Sequence, residues 1–181
     1  MELMAFAVLV LALAWLCRRQ LLNPGCHGFY RFFAFAGIAW LLVFRLGHWH
    51  DDLISIRQLV SSLLMVGALW MVAASVWEFR HKGGRREGET VPENFGFENT
   101  GRLVTTGIYQ YIRHPMYASL LLLAWGIFLK QPNWSGLLVV AGVTLALYLT
   151  ARTEERENLA FFGEAYRQYI RTSKLFLPFL L

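Results

Sequence analysis

Arg113, His114 and Pro115 close a polar, aromatic stretch, Gly101–Tyr117 (GRLVTTGIYQYIRHPMY), and an apolar run begins directly after them. Proline suits the first turn of a helix, since it needs no donor there and its φ is already helical. Pro115 is therefore expected to open a membrane helix, with Arg113 and His114 at its mouth. A helix N-terminus offers free N–H groups and the positive end of the peptide dipole, which suits a carboxylate or another anion. In isolation, Arg and His at such a place are more simply read as markers of the membrane interface. Further along, Glu154 and Glu155 supply acidic groups, and Tyr109, Tyr111 and Tyr117 supply aromatic walls with hydroxyl tips.

The elements that must position these groups are apolar. The chain of 181 residues is 56% hydrophobic and only 16% charged, which is too apolar for an ordinary soluble domain and points to one compact membrane domain. Five apolar runs are read, at about Leu3–Leu16, Phe29–Phe44, Leu59–Phe79, Met116–Leu129 and Trp134–Ala151. The expected architecture is thus all-α and integral to the membrane, with about five transmembrane helices. Residues 1–79 would hold three of them and residues 80–181 the half that carries the polar motifs. The first and fourth runs fall short of the roughly 20 residues a span needs, so flanking residues or neighbouring helices must help. Lys130–Asn133 is long enough only for a turn, making the last two runs a helical hairpin.

From Thr153 to Thr172 the spacing becomes that of an amphipathic helix, with Leu159, Phe162, Tyr166 and Tyr169 on one stripe. That segment is expected on the cytoplasmic side, lying on the membrane surface or docked against the core, with Gly163 bending it. His81–Asn99 reads as a polar connector, in which Phe95 and Phe97 stand out as residues that cover a ligand or dip into the interface.

Charge sets the orientation. With the N-terminus outside, 14 of the 17 Lys and Arg residues fall in inner segments, leaving Arg45, Arg57 and Lys130 outside. This positive-inside bias puts Gly101–Tyr117 and the Glu pair on the cytoplasmic face. The first run carries Glu2 before it and Arg18 and Arg19 after it, so it reads as a retained helix and not a signal peptide. The formal charge of +5 is better spent on anionic lipid headgroups than on nucleic acid, because the basic residues cluster beside apolar runs. Cys17, Cys26 and His27 lack a further ligand cluster, so no metal site is expected. His48, His50, Asp51 and Asp52 lie outside in this topology and are given no chemistry. Nothing in the sequence speaks to oligomeric state.

The stretch Gly101–Tyr117 closely resembles the LVTxGxYxxxRHPxY signature of the isoprenylcysteine carboxyl methyltransferase family, which also includes phospholipid methyltransferase-like proteins. Glu154-Glu155, Leu159, Phe162-Gly163, Tyr166, Tyr169 and Pro178 match that family's second signature, so the resemblance covers roughly Asn94 to Pro178. It implies S-adenosylmethionine as methyl donor and a lipidated or lipid-like substrate, either a small molecule or a prenylated peptide. It also implies a cofactor site at Gly101, Arg102, Leu103, Val104, Tyr109, His114, Pro115, Met116, Tyr117 and Glu154. Family enzymes place an arginine one turn before the Glu pair to meet a substrate carboxylate. Here that position is Thr150 and the nearest arginine is Arg152, which makes Arg152 and Glu155 the candidate catalytic residues.

The donor's own chemistry agrees with this assignment. A sulfonium with an amino-acid tail, a ribose diol and an adenine wants carboxylates, anion donors and aromatic walls. No Gly-rich fingerprint of the soluble methyltransferase kind is present, so the membrane fold would have to build the site itself. The alternatives are an N-methyltransferase of phospholipid amines on the same scaffold, or a membrane binding or transport protein without catalysis.

Overall fold

The computed structural model describes residues 1–49, 52, 54–84 and 101–177. Phe95, Phe97, His50, Asp51, Pro178 and most of the polar connector lie outside the described residues. The helices run in the order α1 (Glu2–Leu16), α2 (Arg18–Leu21), α3 (His27–Arg45), α4 (Ile56–Lys82), α5 (Pro115–Lys130), α6 (Trp134–Phe162) and α7 (Glu164–Thr172). Short 3₁₀ turns follow α3 at Leu46–His48 and precede α5 at Gly107–Gln110. No strand occurs among the described residues, only an isolated parallel bridge between Ile112 and Lys174.

Each of the five apolar runs lies in a helix. By length and composition three are suited to crossing a membrane, at His27–His48, Ile56–Lys82 and Trp134–Phe162. α1 and α5 are apolar but shorter, at 15 and 16 residues. Lipid leaves a plain signature on α4. Its buried positions include the polar Gln58, Ser61, Ser75 and Glu78. Its outward positions, Leu63, Val66, Trp70 and Trp77 among them, are large, apolar and exposed. A water-soluble helix has the reverse pattern.

The broadest helix contacts are α4 with α5 and α3 with α6. The core between them is built from small and branched residues, including Ala34, Leu41, Ala124, Ile127, Val140, Val143 and Leu147. Small residues let membrane helices approach closely, and polar groups then bond across the seam. Ser61 Oγ donates to the Gly126 carbonyl at 2.7 Å in this way. Asn133 caps α6 by accepting from the Gly136 N–H at 2.8 Å, so the turn after Lys130 is a helical hairpin as its residues predict.

One boundary differs from the sequence reading. There is no separate surface helix from Thr153, because α6 continues without interruption to Phe162. The segment after Ala151 contains no helix breaker, and Arg152 pairs with Glu155 three residues on at 2.7 Å. Gly163, at φ 58°, supplies the break. Only then does α7 begin, with Tyr166 and Tyr169 buried.

Candidate functional site

Pro115 is the first residue of α5 and His114 its N-cap, as the sequence requires. Three elements fix this helix mouth. From α4, Glu78 Oε2 accepts from Thr106 Oγ1 at 3.0 Å and pairs with Lys82 Nζ at 3.0 Å. The next residue, Gly107, has φ 59°, and a Cβ there would lie 2.3 Å from Glu78 Oε1. Glycine is required on both counts. From α7, Tyr169 Oη donates to the Tyr109 carbonyl at 2.6 Å. After α7 the chain runs beside the motif, with Arg113 N–H donating to the Lys174 carbonyl at 2.7 Å and His114 N–H to that of Leu175 at 3.2 Å.

The two glutamates of the pair have different surroundings. Glu155 is buried, takes Arg113 Nε at 2.6 Å on one oxygen and Arg152 at 2.7 Å on the other. Arg113 also donates to the carbonyls of Ile170 and Ser173. Glu155 is thus the centre of a brace joining α6, the motif loop and the end of α7. Glu154 instead faces a cavity of about 370 Å³, with its Oε2 3.6 Å from His114 Nδ1.

Arg102, Leu103, Val104, Tyr109, His114, Pro115, Met116, Tyr117 and Glu154 all line that cavity. Gly101, Arg152 and Glu155 do not. Thr150 is fully buried and bonds its own helix at the Ala146 carbonyl, and the Arg152 side chain is about half exposed. The remaining walls come from His27, Phe79, Arg113, Glu157, Asn158, Ala160, Phe161, Phe162, Tyr166 and Tyr169. Glu154, Glu157, Asn158 and Phe161 follow one another at helical spacing, so the face of α6 was readable from Glu154 alone. His27 was not, because it comes from the start of α3, far away in the chain.

Two buried polar atoms in this lining are left unsatisfied. Tyr109 Oη and His114 Nε2 make no well-formed hydrogen bond among the described residues, with Ser75 the neighbouring hydroxyl of the phenol and Glu155 Oε1 3.9 Å from His114 Nε2. His114 is stacked on Tyr117, with ring centroids 5.5 Å apart and planes at 12°. Burial, reinforced by the Glu154 carboxylate, pushes the Tyr109 and Tyr166 phenols well above their usual range, so both stay neutral donors. An unsatisfied buried polar group is costly and is normally bonded to something. Among the described residues no group of three or more His, Cys, Asp or Glu side chains is placed to hold a metal ion.

Together these features define an all-helical membrane protein with a polar, aromatic cavity at the mouth of one helix. The chain belongs to the phospholipid methyltransferase family, whose sequence pattern matches residues 56–168. It is 35% identical over 77 residues to the methanethiol S-methyltransferase of Crocosphaera subtropica, a match covering 42% of this chain and 29% of that protein. It is 38% identical over 69 residues to the protein-S-isoprenylcysteine O-methyltransferase of Schizosaccharomyces pombe, covering 37% of this chain and 29% of that protein. The human protein-S-isoprenylcysteine O-methyltransferase is 34% identical over 90 residues, covering 45% and 29% respectively. The matched region thus spans under a third of the length of these curated relatives. No solved structure matches the chain.

Proposed function

We propose that this protein is an S-adenosylmethionine-dependent methyltransferase acting on a lipidic or otherwise apolar acceptor at the cytoplasmic face of a membrane. The observation that carries the reading is the convergence of Glu154, His114, Arg102 and Tyr109 on one cavity at the mouth of α5. The donor set suits that cofactor. Arg102 and His114 would take its carboxylate, Glu154 its ammonium or ribose diol, and Tyr109, Phe79 and Tyr166 its flat or apolar parts. When bound it supplies an electrophilic methyl group. The chain's own work is to hold the acceptor in line, exclude water and manage the acceptor's proton.

The cavity volume, near the lower end for ligand sites of roughly 300–1,000 Å³, suits the cofactor and a small reacting end. An acceptor's apolar tail would remain among the helices, past Phe161 and Phe162. On this reading α1 and α5 complete a five-span bundle. A carboxylate acceptor has less support than an amine or a thiol, since Thr150 stands where the family arginine is expected and Arg152 is engaged by Glu155 outside the cavity. Titration of the detergent-solubilised protein with S-adenosylmethionine in a calorimeter tests the reading directly. Saturable binding that weakens in Glu154→Gln supports it, and no binding to the intact protein refutes it.

A further inference from the structure

Arg45, Arg57 and Lys130, the three basic residues that the charge pattern sets apart from the rest, converge on the turn between α5 and α6. Arg45, at the end of α3, donates to Gln131 Oε1 at 2.7 Å and to Asn133 Oδ1 at 2.6 Å. Arg57, in the first turn of α4, donates through Nη1 to the carbonyls of Leu129 and Lys130. Lys130 Nζ, at the end of α5, donates to Gln58 Oε1 at 2.9 Å and to Ser62 Oγ at 3.2 Å. Every one of these acceptors is neutral. Among the described residues no carboxylate, Asp52 included, pairs with any of the three cations. Helix ends do not offset the charge either, because α3 and α5 finish where α4 and α6 begin and their dipoles oppose. Arg45 and Lys130 are buried, and buried cations without an anion are costly.

Arg57 stands at the open side of this cluster. It is half-buried, and its Nε and Nη2 make no hydrogen bond among the described residues. The exposed apolar side chains of Ile56, Leu59, Val60 and Leu63 flank it along α4, the pattern of a helix against lipid. Twenty-two residues of α4 separate Arg57 from Phe79 in the cavity wall, about 33 Å of helical rise. That matches the roughly 30 Å hydrocarbon thickness of a bilayer, so Arg57 lies at the headgroup boundary of the far leaflet. Trp134, exposed at the start of α6, is the aromatic anchor expected at that level. The anion within reach there is a lipid phosphate. We propose that Arg57, backed by Lys130 and Arg45, binds the phosphate of an anionic phospholipid in the leaflet opposite the cofactor cavity. The free edge of the Arg57 guanidinium suits two phosphate oxygens at once. A zwitterionic headgroup would bring a further ammonium to a cluster that already holds three cations, so a net-negative lipid is preferred. This binding is independent of methyl transfer in the cavity.

Lipid binding is read by native mass spectrometry of the detergent-solubilised full chain and by its melting temperature, with phosphatidylglycerol, phosphatidylcholine and inorganic phosphate added in turn. Phosphatidylglycerol is expected to bind at least about fivefold more tightly than phosphatidylcholine and to raise the melting temperature, while inorganic phosphate leaves it unchanged. Arg57→Gln should weaken phosphatidylglycerol binding by about tenfold. Arg171→Gln, a charge lost from the exposed side of α7, should leave it unaltered. Ser62→Asp guards against a folding artefact. Ser62 is exposed, and an aspartate there gives Lys130 a carboxylate of its own, so the protein is expected to melt no lower while its preference for phosphatidylglycerol disappears. Equal binding of the two lipids, or a preference that survives both Arg57→Gln and Ser62→Asp, overturns the proposal. Equal stabilisation by inorganic phosphate overturns it as well, since the site would then need no lipid. Cofactor affinity does not enter these readouts, so either failure leaves the methyltransferase reading intact.

Discussion

Glu155 Oε1 sits 2.6 Å from Arg113 Nε, and this contact divides the work of the two adjacent glutamates. Both partners are shielded from solvent, with side chains 9% and 4% exposed. Removing Arg113 strips one oxygen of the buried carboxylate of its partner and leaves the charge to the half-exposed Arg152 alone. Arg113→Ala is therefore expected to cost about 3–5 kcal/mol of stability. Replacing the half-exposed Arg152 should cost no more than about 1 kcal/mol. Thermal unfolding in detergent separates these, and equal losses would show that Arg113 is not the main partner of Glu155 in the brace.

Glu154 and His114 are expected to matter for the cofactor and little for the fold. Glu154→Gln or His114→Ala should each weaken S-adenosylmethionine binding by about 1–3 kcal/mol, the worth of a charge-assisted hydrogen bond. Calorimetry reads the affinity directly. Unchanged affinity in both folded variants would remove these residues from the cofactor site.

The helix mouth was legible in the sequence because proline chemistry is local, and Pro115 starts α5 as expected. The same holds for Asn133 and for the break at Gly163. Two things were hidden. The continuation of α6 past Ala151 depends on side-chain pairs within a charged segment, whereas composition suggested a change of element there. The opposite fates of Glu154 and Glu155 depend on which way each faces once α7 folds back, and neighbours in sequence point about 100° apart on a helix. His27 illustrates the limit most clearly, since its partner Glu157 is 130 residues away.

Gly107 offers a test of how the motif loop is held. Gly107→Ala forces a side chain into a φ of 59° and into Glu78 Oε1. Strain of this kind costs about 1–3 kcal/mol, and relief would displace Glu78 or the turn that carries Tyr109. The expected result is a lower melting temperature together with weaker cofactor binding. Wild-type stability and affinity in this variant would show that the turn is not under this constraint.

The orientation expected from charge is open to direct measurement. With 14 of 17 basic residues in segments read from the sequence as inner, a single cysteine at Gly84 or Thr172, in a background lacking Cys17 and Cys26, is expected to resist impermeant thiol reagents in intact cells. Efficient labelling at both positions would invert the topology and place the cavity on the other face.

The position where this chain departs from the family pattern it resembles gives the sharpest expectation. The family resemblance implies an arginine at position 150 to meet a substrate carboxylate, so Thr150→Arg looks at first like a restoration. The surroundings argue otherwise. Thr150 is fully buried, its hydroxyl is bonded to the Ala146 carbonyl, and its neighbour Ala151 belongs to the apolar core. A guanidinium there would displace packed side chains and lose its hydration without a carboxylate to receive it, which costs several kcal/mol. Thr150→Arg is therefore expected to lower the melting temperature sharply and to gain no carboxyl methylation. Arg152→Lys and Arg152→Ala should both retain turnover with thiol or amine acceptors, because Arg152 does not line the cavity and serves only the outer oxygen of Glu155. Turnover that collapses in Arg152→Ala while stability and cofactor affinity hold would mean that Arg152 swings into the cavity to meet the acceptor. A well-folded Thr150→Arg protein with new carboxyl methylation would mean that α6 can rotate this position toward the cavity.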